Sequence, residues 1–254
     1  MNPLGRAGWF AQAEAGVRFE WGLSGAKMLA APGGCLLVVD VLTFTTAVAI
    51  AAGKGTAVFP FPWNDTRATQ FAARHNAELA EDRRATSPQR PWSLSPAALS
   101  RAPAPPRLVL PSPNGSTIAA ARAGTMVAAC LRNAAAAARW AIARGFGVPE
   151  RPALVIAAGE LWPDGSLRPA LEDLLGAGAV IEVLREAGCR CSAEAEAAAT
   201  TFVATTDVAA AVRSCGSGRQ LSVAGFDDDV ILAASLDVDR VVPIMRNGAF
   251  SASP

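Results

Sequence analysis

The chain has 254 residues, 51% of them hydrophobic and 18% charged, with a formal net charge of +1 at pH 7. That length and apolar content support a substantial core and exclude a disordered chain. The near-neutral balance gives no reason to expect a nucleic acid or an anionic membrane as partner. No uncharged apolar run reaches about 18 residues, so no membrane span is expected. Residues 1–16 show no signal-peptide pattern. The five cysteines are odd in number and scattered, which fits a reduced, cytoplasmic protein better than a disulfide framework. Cys189-Arg-Cys191 has the wrong spacing for a zinc knuckle and lacks a second pair.

In chain order, residues 17–21 alternate like an edge strand, and Pro32-Gly33-Gly34 turns into the first clear strand, 35–41 (CLLVVDV). Leu42-Thr43-Phe44-Thr45-Thr46 leads into a helix ending near Gly53. A strand at 57–60, a helix over 66–74 and a short strand at 77–80 follow. Residues 82–107 are rich in proline and arginine and lack periodicity, as a functional lid or a flexible segment would. Strand 108–110 breaks at Pro111-Ser112-Pro113-Asn114-Gly115-Ser116-Thr117 into an alanine-rich helix over 116–123. Strand 125–129 ends at Cys130-Leu131-Arg132-Asn133, before a helix over 134–144. Strand 153–158 gives way to a loop through Glu160 and Asp164 and a helix over 169–187. Residues 193–213 read as one or two helices, and Gly216-Ser217-Gly218-Arg219 breaks the pattern. Asp227-Asp228-Asp229 starts a short helix, and 241–245 makes a last strand whose proline places it at an edge. This alternation predicts an α/β fold, three-layer α/β/α around a mostly parallel or mixed sheet. We take residues 1–254 as a single domain with a Pro/Arg-rich loop at 82–107.

Three of these strands break into loops carrying hydroxyls, an amide and carboxylates. Parallel sheets bind ligands beyond the carboxyl ends of their strands, where helix N-termini suit phosphate. The mixture suits a magnesium ion beside a phosphate group. Other chemistries lack their parts. His75 is the only histidine and reads as a surface residue at a helix end; no GxSxG, P-loop or GxGxxG is present. Asp40 ends an apolar strand, where a carboxylate is unfavourable unless paired or bound to a cation; an N-cap or a hydrogen bond to Thr43, Thr45 and Thr46 is the alternative. Thr45 and Thr46 either cap the helix or offer hydroxyls to phosphate. Asn114, Gly115 and Ser116 form an anion-binding turn or an ordinary one. Glu172 and Asp173 are adjacent, so both cannot face one apolar surface, and at least one meets a polar site or solvent. Asp228 and Asp229 read as a solvated helix start, with a catalytic role as the alternative. Cys130 is a small buried hydrophobe or a thiolate at a helix start.

Together these segments resemble the 2-phosphosulfolactate phosphatase family, magnesium-dependent enzymes named for a step in coenzyme M biosynthesis. The matching pieces are Val38-Val39-Asp40-Val41-Leu42 with Thr45-Thr46, Ser112-Pro113-Asn114-Gly115-Ser116, Leu131-Arg132-Asn133, and Ala158-Gly159 through Leu171-Glu172-Asp173 and Gly176-Ala177-Gly178. Ser217-Gly218-Arg219-Gln220-Leu221, Asp229-Val230 and Val242-Pro243 complete them. The resemblance implies an α/β/α fold, a magnesium requirement and phosphate release from a phosphorylated, sulfonated hydroxy acid. Against the family pattern, Thr43 replaces an arginine, and Thr117 or Ile118 replaces a second. Ala80-Glu81-Asp82 and Leu94-Ser95-Pro96 align with a Gly-Glu and an Asn-Ser-Pro. Arginine forks hold phosphate and sulfonate well, and Arg132, Arg168 and Arg219 are the candidates to compensate.

The expected chemistry is metal-assisted hydrolysis of a phosphate monoester. Magnesium is held by Asp40 with one or more of Glu81, Glu160, Glu172 and Asp173, and Glu172 or Asp173 serves as general base. Thr45, Thr46, Asn114, Gly115, Ser116, Arg132, Asn133 and Arg219 bind the small phosphorylated substrate, with helix N-termini after Thr45 and Ser116 donating N–H groups. A phosphoaspartate at Asp40 is the rival mechanism, and Leu42 stands where its usual partner carboxylate belongs. From another class, the chain is a non-catalytic binder of a small anionic metabolite. A homo-oligomer is left open.

Overall fold

The computed structural model describes residues 7–62, 65–120 and 124–253. Its strands are β1 (Val17–Trp21), β2 (Cys35–Val39), β3 (Ala57–Phe61), β4 (Glu78–Leu79), β5 (Arg107–Pro111), β6 (Thr125–Ala129), β7 (Ala153–Ala157), β8 (Glu160–Leu161), β9 (Leu167–Arg168), β10 (Pro243–Arg246) and β11 (Ala249–Ala252). All but β8 and β9, which pair with each other, join one sheet in the order β1-β7-β2-β6-β10-β11-β3-β5-β4.

The runs that read as buried strands are apolar throughout because both faces of the sheet are covered. Successive side chains point to opposite faces. Thus Cys35, Leu37 and Val39 of β2 enter one core with Val155 of β7 and Val127 of β6, while Leu36 and Val38 enter a second core with Leu154, Ile156 and Met126. Helices Ala134–Ala143 and Leu171–Glu186 cover the first core, and helices Gly22–Met28, Phe44–Gly53 and Gly115–Ala120 serve the second. The arrangement is three-layer α/β/α.

The sheet contains two parallel blocks. β1, β7, β2 and β6 are mutually parallel neighbours, as are β3, β5 and β4. The hairpin β10–β11 lies between them, antiparallel to β6 on one side and to β3 on the other. Leu36 and Val38 of one block share the second core with Leu108 and Leu110 of the other, alongside Phe44 and Phe250.

Close helix packing brings the site loops together. A Cβ at Gly176 would meet Val41 Cγ2 at 2.7 Å and Val39 Cγ1 at 2.9 Å, and one at Gly178 would meet the Ala198 carbonyl oxygen at 2.4 Å. The helix Leu171–Glu186 therefore rests directly on the end of β2, and the carboxylates of its first turn reach that strand end.

Several elements differ from the sequence reading. β1 is an edge strand as expected, but the proline-bearing β10 is interior. Pro243 opens the strand, where no ladder N–H is required of it, and β10 meets β6 only at Ile244 opposite Val127. The Gly-Ser-Gly stretch expected to interrupt structure starts the helix Gly216–Val223, because the Cys215 side chain accepts from Gly218 N–H as its cap. Residues 193–213 form two helices, Ala193–Ala204 and Val208–Ser214, and 82–107 contains the helix Pro96–Arg101. The end of the helix expected over 116–123 lies outside the described residues; Gly115–Ala120 is described. Among the described residues no helix is long and apolar enough to cross a membrane.

Candidate active site

Asp40 immediately follows β2, and its surroundings are set by the turn into the next helix. Phe44 N–H donates to Asp40 Oδ1 and Gly115 N–H to Oδ2, each at 3.0 Å. Thr45 closes the turn, since its hydroxyl donates to the Asp40 carbonyl at 2.7 Å and accepts from Asp40 N–H at 2.9 Å. Gly115 has no side chain because none fits: a Cβ would lie 2.5 Å from Phe44 Cδ1 and 2.7 Å from Asp40 Oδ2. The backbone N–H groups at these two junctions thus solvate Asp40 itself. Burial nevertheless pushes its carboxyl pKa up to about 7, with Glu160 and Glu172 adding repulsion and the two N–H groups opposing the rise.

Asp173 lies behind this carboxylate. Its Oδ1 accepts from Val41 N–H at 2.7 Å and its Oδ2 from Gly159 N–H at 2.8 Å. Those groups follow the adjacent strands β2 and β7, so Asp173 staples the two strand ends. Burial, then the charges of Asp40 and Glu172, raise its carboxyl well above the usual range. Glu172 is buried and accepts from the Cys215 thiol at 3.1 Å. Burial and the Glu172 charge push that thiol up to about 11, so it remains protonated and able to donate.

A cleft of about 350 Å³ opens over Asp40 and is lined by Thr43, Arg83, Ser112, Asn114 and Glu160 among others. Glu160 follows β7 and hydrogen-bonds the Asn114 side chain; desolvation raises its carboxyl, and that bond and Arg168 oppose the rise. Arg168 pairs with Glu160 across the β8–β9 hairpin, donates to Ser217 Oγ at 2.9 Å, and lies over the Trp162 ring at 5.6 Å.

The donor set can be tested against a divalent cation. Each Asp40 oxygen accepts one N–H and retains further lone-pair capacity. Glu160 brings a second carboxylate whose charge bears on Asp40. No group of three or more His, Cys, Asp and Glu side chains suited to a metal gathers among the described residues. The set therefore fits a hard cation that takes one or two carboxylates and completes its shell with water and phosphate oxygens, and does not fit an all-protein cage.

The sequence-predicted residues divide accordingly. Asp40, Asn114 and Glu160 line the cleft together. Gly115 supplies its N–H to Asp40, and Thr45, Thr46 and Ser116 are fully buried, their hydroxyls donating to the carbonyls of Asp40, Val41 and Leu110. Asn133 is also buried; its Oδ1 accepts from Cys130 N–H, and its Nδ2 donates to the carbonyls of Ala128 and Val241. Arg132 pairs with Asp239 at 2.7 Å and donates to the Leu232 carbonyl. Arg219 lies on the helix Gly216–Val223, outside the lining that Ser217, Gln220 and Leu221 of that helix provide. Glu81 lies apart, in a 2.8 Å ion pair with Arg90. Cys130 is a buried thiol pushed up to about 11 by desolvation. His75 packs against the rings of Phe59 and Phe71, and Asp228 pairs with Arg101. Sequence reasoning missed Arg83, Ser112 as a lining hydroxyl, and Phe226. The one signal for Arg83 was its place in the arginine-rich segment already read as a possible lid.

A family model described as 2-phosphosulpholactate phosphatase matches residues 25–248. The chain belongs to this family. A protein of Deinococcus radiodurans named "Probable 2-phosphosulfolactate phosphatase" is 32% identical over 223 residues, covering 84% of this chain and 88% of that protein. Membership in the 2-phosphosulpholactate phosphatase family makes the chain a phosphoric monoester hydrolase. The matched span holds every strand of the two parallel blocks except β1, together with Asp40, Asn114, Glu160 and the Glu172-Asp173 pair.

Proposed function

We propose that this phosphatase hydrolyses 2-phosphosulfolactate, or a closely related phosphorylated hydroxy acid, in a magnesium-dependent reaction. The observation that carries the reading is Asp40: a buried carboxylate fixed by two backbone N–H groups, with Glu160 and Asn114 lining the same cleft. The name of the Deinococcus radiodurans relative supports the substrate.

Magnesium, when bound, supplies positive charge to phosphoryl oxygens and orients water; Asp40 and Glu160 would hold it. The remaining work belongs to the chain. Phe44 and Gly115 keep the Asp40 carboxylate in one orientation, so no rearrangement is needed as substrate arrives. Thr43, Ser112 and Asn114 offer neutral donors to the ester's oxygens without adding to the positive charge of the cleft. Glu160, held by the Asn114 side chain, keeps a second carboxylate facing the cleft beside Asp40. Asp173 and Glu172 act from behind, through the strand ends and through Cys215. The five free cysteines suit a reducing compartment such as the cytoplasm.

Uncatalysed phosphomonoester hydrolysis is extremely slow, so a working site must lower the barrier by roughly 20 kcal/mol or more. Phosphate release from 2-phosphosulfolactate, with and without magnesium, tests the reading directly. Release is expected only with the cation, and Asp40→Ala should reduce it roughly a thousandfold. Binding of the ester without turnover, at any magnesium concentration, would make the protein a metabolite binder instead.

A further inference from the structure

The cleft is lined by chemically unlike groups. They include the carboxylates of Asp40 and Glu160, and Arg83, the one cationic side chain among the described residues that line it. Arg83 enters from the Pro/Arg-rich segment, and its Nη2 donates to Thr43 Oγ1. Its guanidinium lies over the Phe226 ring, 5.6 Å from the centroid. Nε is 3.4 Å from Asp229 Oδ2, and neither buried atom has a hydrogen-bond partner. Asp229 is itself fixed: its side chain is 1% exposed, and its Oδ1 accepts from Ser95 Oγ at 2.5 Å and Ala97 N–H at 2.9 Å. An aspartate anchored to the start of the helix Pro96–Arg101 therefore restrains a guanidinium whose Nη1 makes no hydrogen bond among the described residues.

We propose that Arg83 binds the second acidic group of the substrate, the sulfonate or carboxylate carried beside the phosphoryl ester, and that Asp229 is its positioning residue. This rests on the reading of the site as a hydrolase for a phosphorylated hydroxy acid. A cleft lined both by carboxylates that can hold a cation and by a fork of N–H donors orients a molecule bearing two unlike anions. The phosphoryl group lies against the Asp40 and Glu160 carboxylates. The second anion lies against Arg83, with Phe226 limiting water on one face of the guanidinium.

The experiment measures kcat and KM for 2-phosphosulfolactate and for phenyl phosphate, which lacks the second acid, on wild type, Arg83→Gln, Arg83→Lys and Asp229→Asn. Sulfolactate binding to the same proteins is measured by calorimetry. For Arg83→Gln, KM for the sulfonated ester should rise roughly 10- to 100-fold, at least tenfold more than any change with phenyl phosphate, with kcat less affected. Arg83→Lys keeps the charge without the fork and should change in the same direction by less, so it decides the matter if the glutamine variant fails to fold. Asp229→Asn should raise KM, and combined with Arg83→Gln it should add little, as expected of two residues acting as a unit. Equal losses on both esters, or an unchanged KM for the sulfonated one, overturn the assignment. If wild type releases no phosphate from either ester, the hydrolase reading fails by itself. Calorimetry then decides Arg83 alone: at least tenfold weaker sulfolactate binding in Arg83→Gln supports it, and equal or absent binding in both proteins overturns it.

Discussion

Asp40 and Asp173 sit at the same end of β2, and each has both carboxylate oxygens bonded to backbone N–H groups. Both are almost fully buried, and in both burial raises the carboxyl above its ordinary range. Their surroundings differ in access: Asp40 lines the cleft and Asp173 does not. The donors of Asp40 come from loops beyond β2 and β5, whereas those of Asp173 come from loops beyond β2 and β7. Two carboxylates with similar backbone solvation thus divide into one that faces the cleft and one that ties strands together. Hydrogen bonding alone does not separate the roles; access does.

The comparison can be broken most severely at Asp40. Asp40→Asn keeps the shape and should lower phosphate release roughly a thousandfold while the fold survives; a smaller loss than in Asp173→Asn would reverse the assignment. Next comes Gly115→Ala, whose Cβ would press on Phe44 and the Asp40 carboxylate. Overpacking there should destabilise by about 1–3 kcal/mol and reduce kcat, readable from urea unfolding and steady-state rates together. Asp173→Ala leaves the N–H groups of Val41 and Gly159 without acceptors. Urea unfolding near pH 6 should show a loss of about 2 kcal/mol, with a smaller effect on turnover than Asp40→Ala.

A pH series sharpens the same contrast without activity. A carboxyl whose pKa is raised by folding binds its proton more tightly in the native state, so its contribution is fully present below the unfolded value. That contribution is lost as pH rises through the folded value. For Asp40 the window runs from 3.8 to about 7. With chelator present, the melting temperature of Asp40→Asn should therefore gain on wild type across that window and level off above it. The smallest effect belongs to Glu81→Ala, which removes one partly exposed ion pair with Arg90. Stability should change by less than about 1 kcal/mol and magnesium-dependent turnover by no more than about threefold, about 0.7 kcal/mol; a large loss of turnover would return Glu81 to the metal site.

Much of this arrangement was legible in the chain. The apolar runs of β2, β6 and β7 announce strands buried on both faces, and the polar loops after β2, β5 and β7 announce their carboxyl ends. Asp40 was visible because a carboxylate ending such a run needs an explanation. The threonines were legible only as alternatives, and the backbone chose the local one: Thr45 and Thr46 are spent on carbonyls within five residues. Arg132 and Asn133 read as substrate ligands from sequence, yet Asn133 bonds Cys130 and Ala128 locally, and both reach partners about a hundred residues later, near Leu232, Asp239 and Val241, where no local pattern points. Arg83 was hidden for the opposite reason. It sits in an aperiodic segment whose path is set by tertiary contacts with Thr43, Phe226 and Asp229. The helix at Gly216 was hidden because glycine and serine disfavour helix interiors, whereas here they begin one.

The hairpin β10–β11 carries a consequence for synthesis. These two strands are translated after all the others of the sheet, yet they take its middle positions. Until they emerge from the ribosome, β6 and β3 each present an open margin, and the blocks on either side have no ladder between them. A nascent chain must therefore hold two half-sheets apart, each vulnerable to pairing with the wrong neighbour, until its last-made ribbon slides in as the keystone.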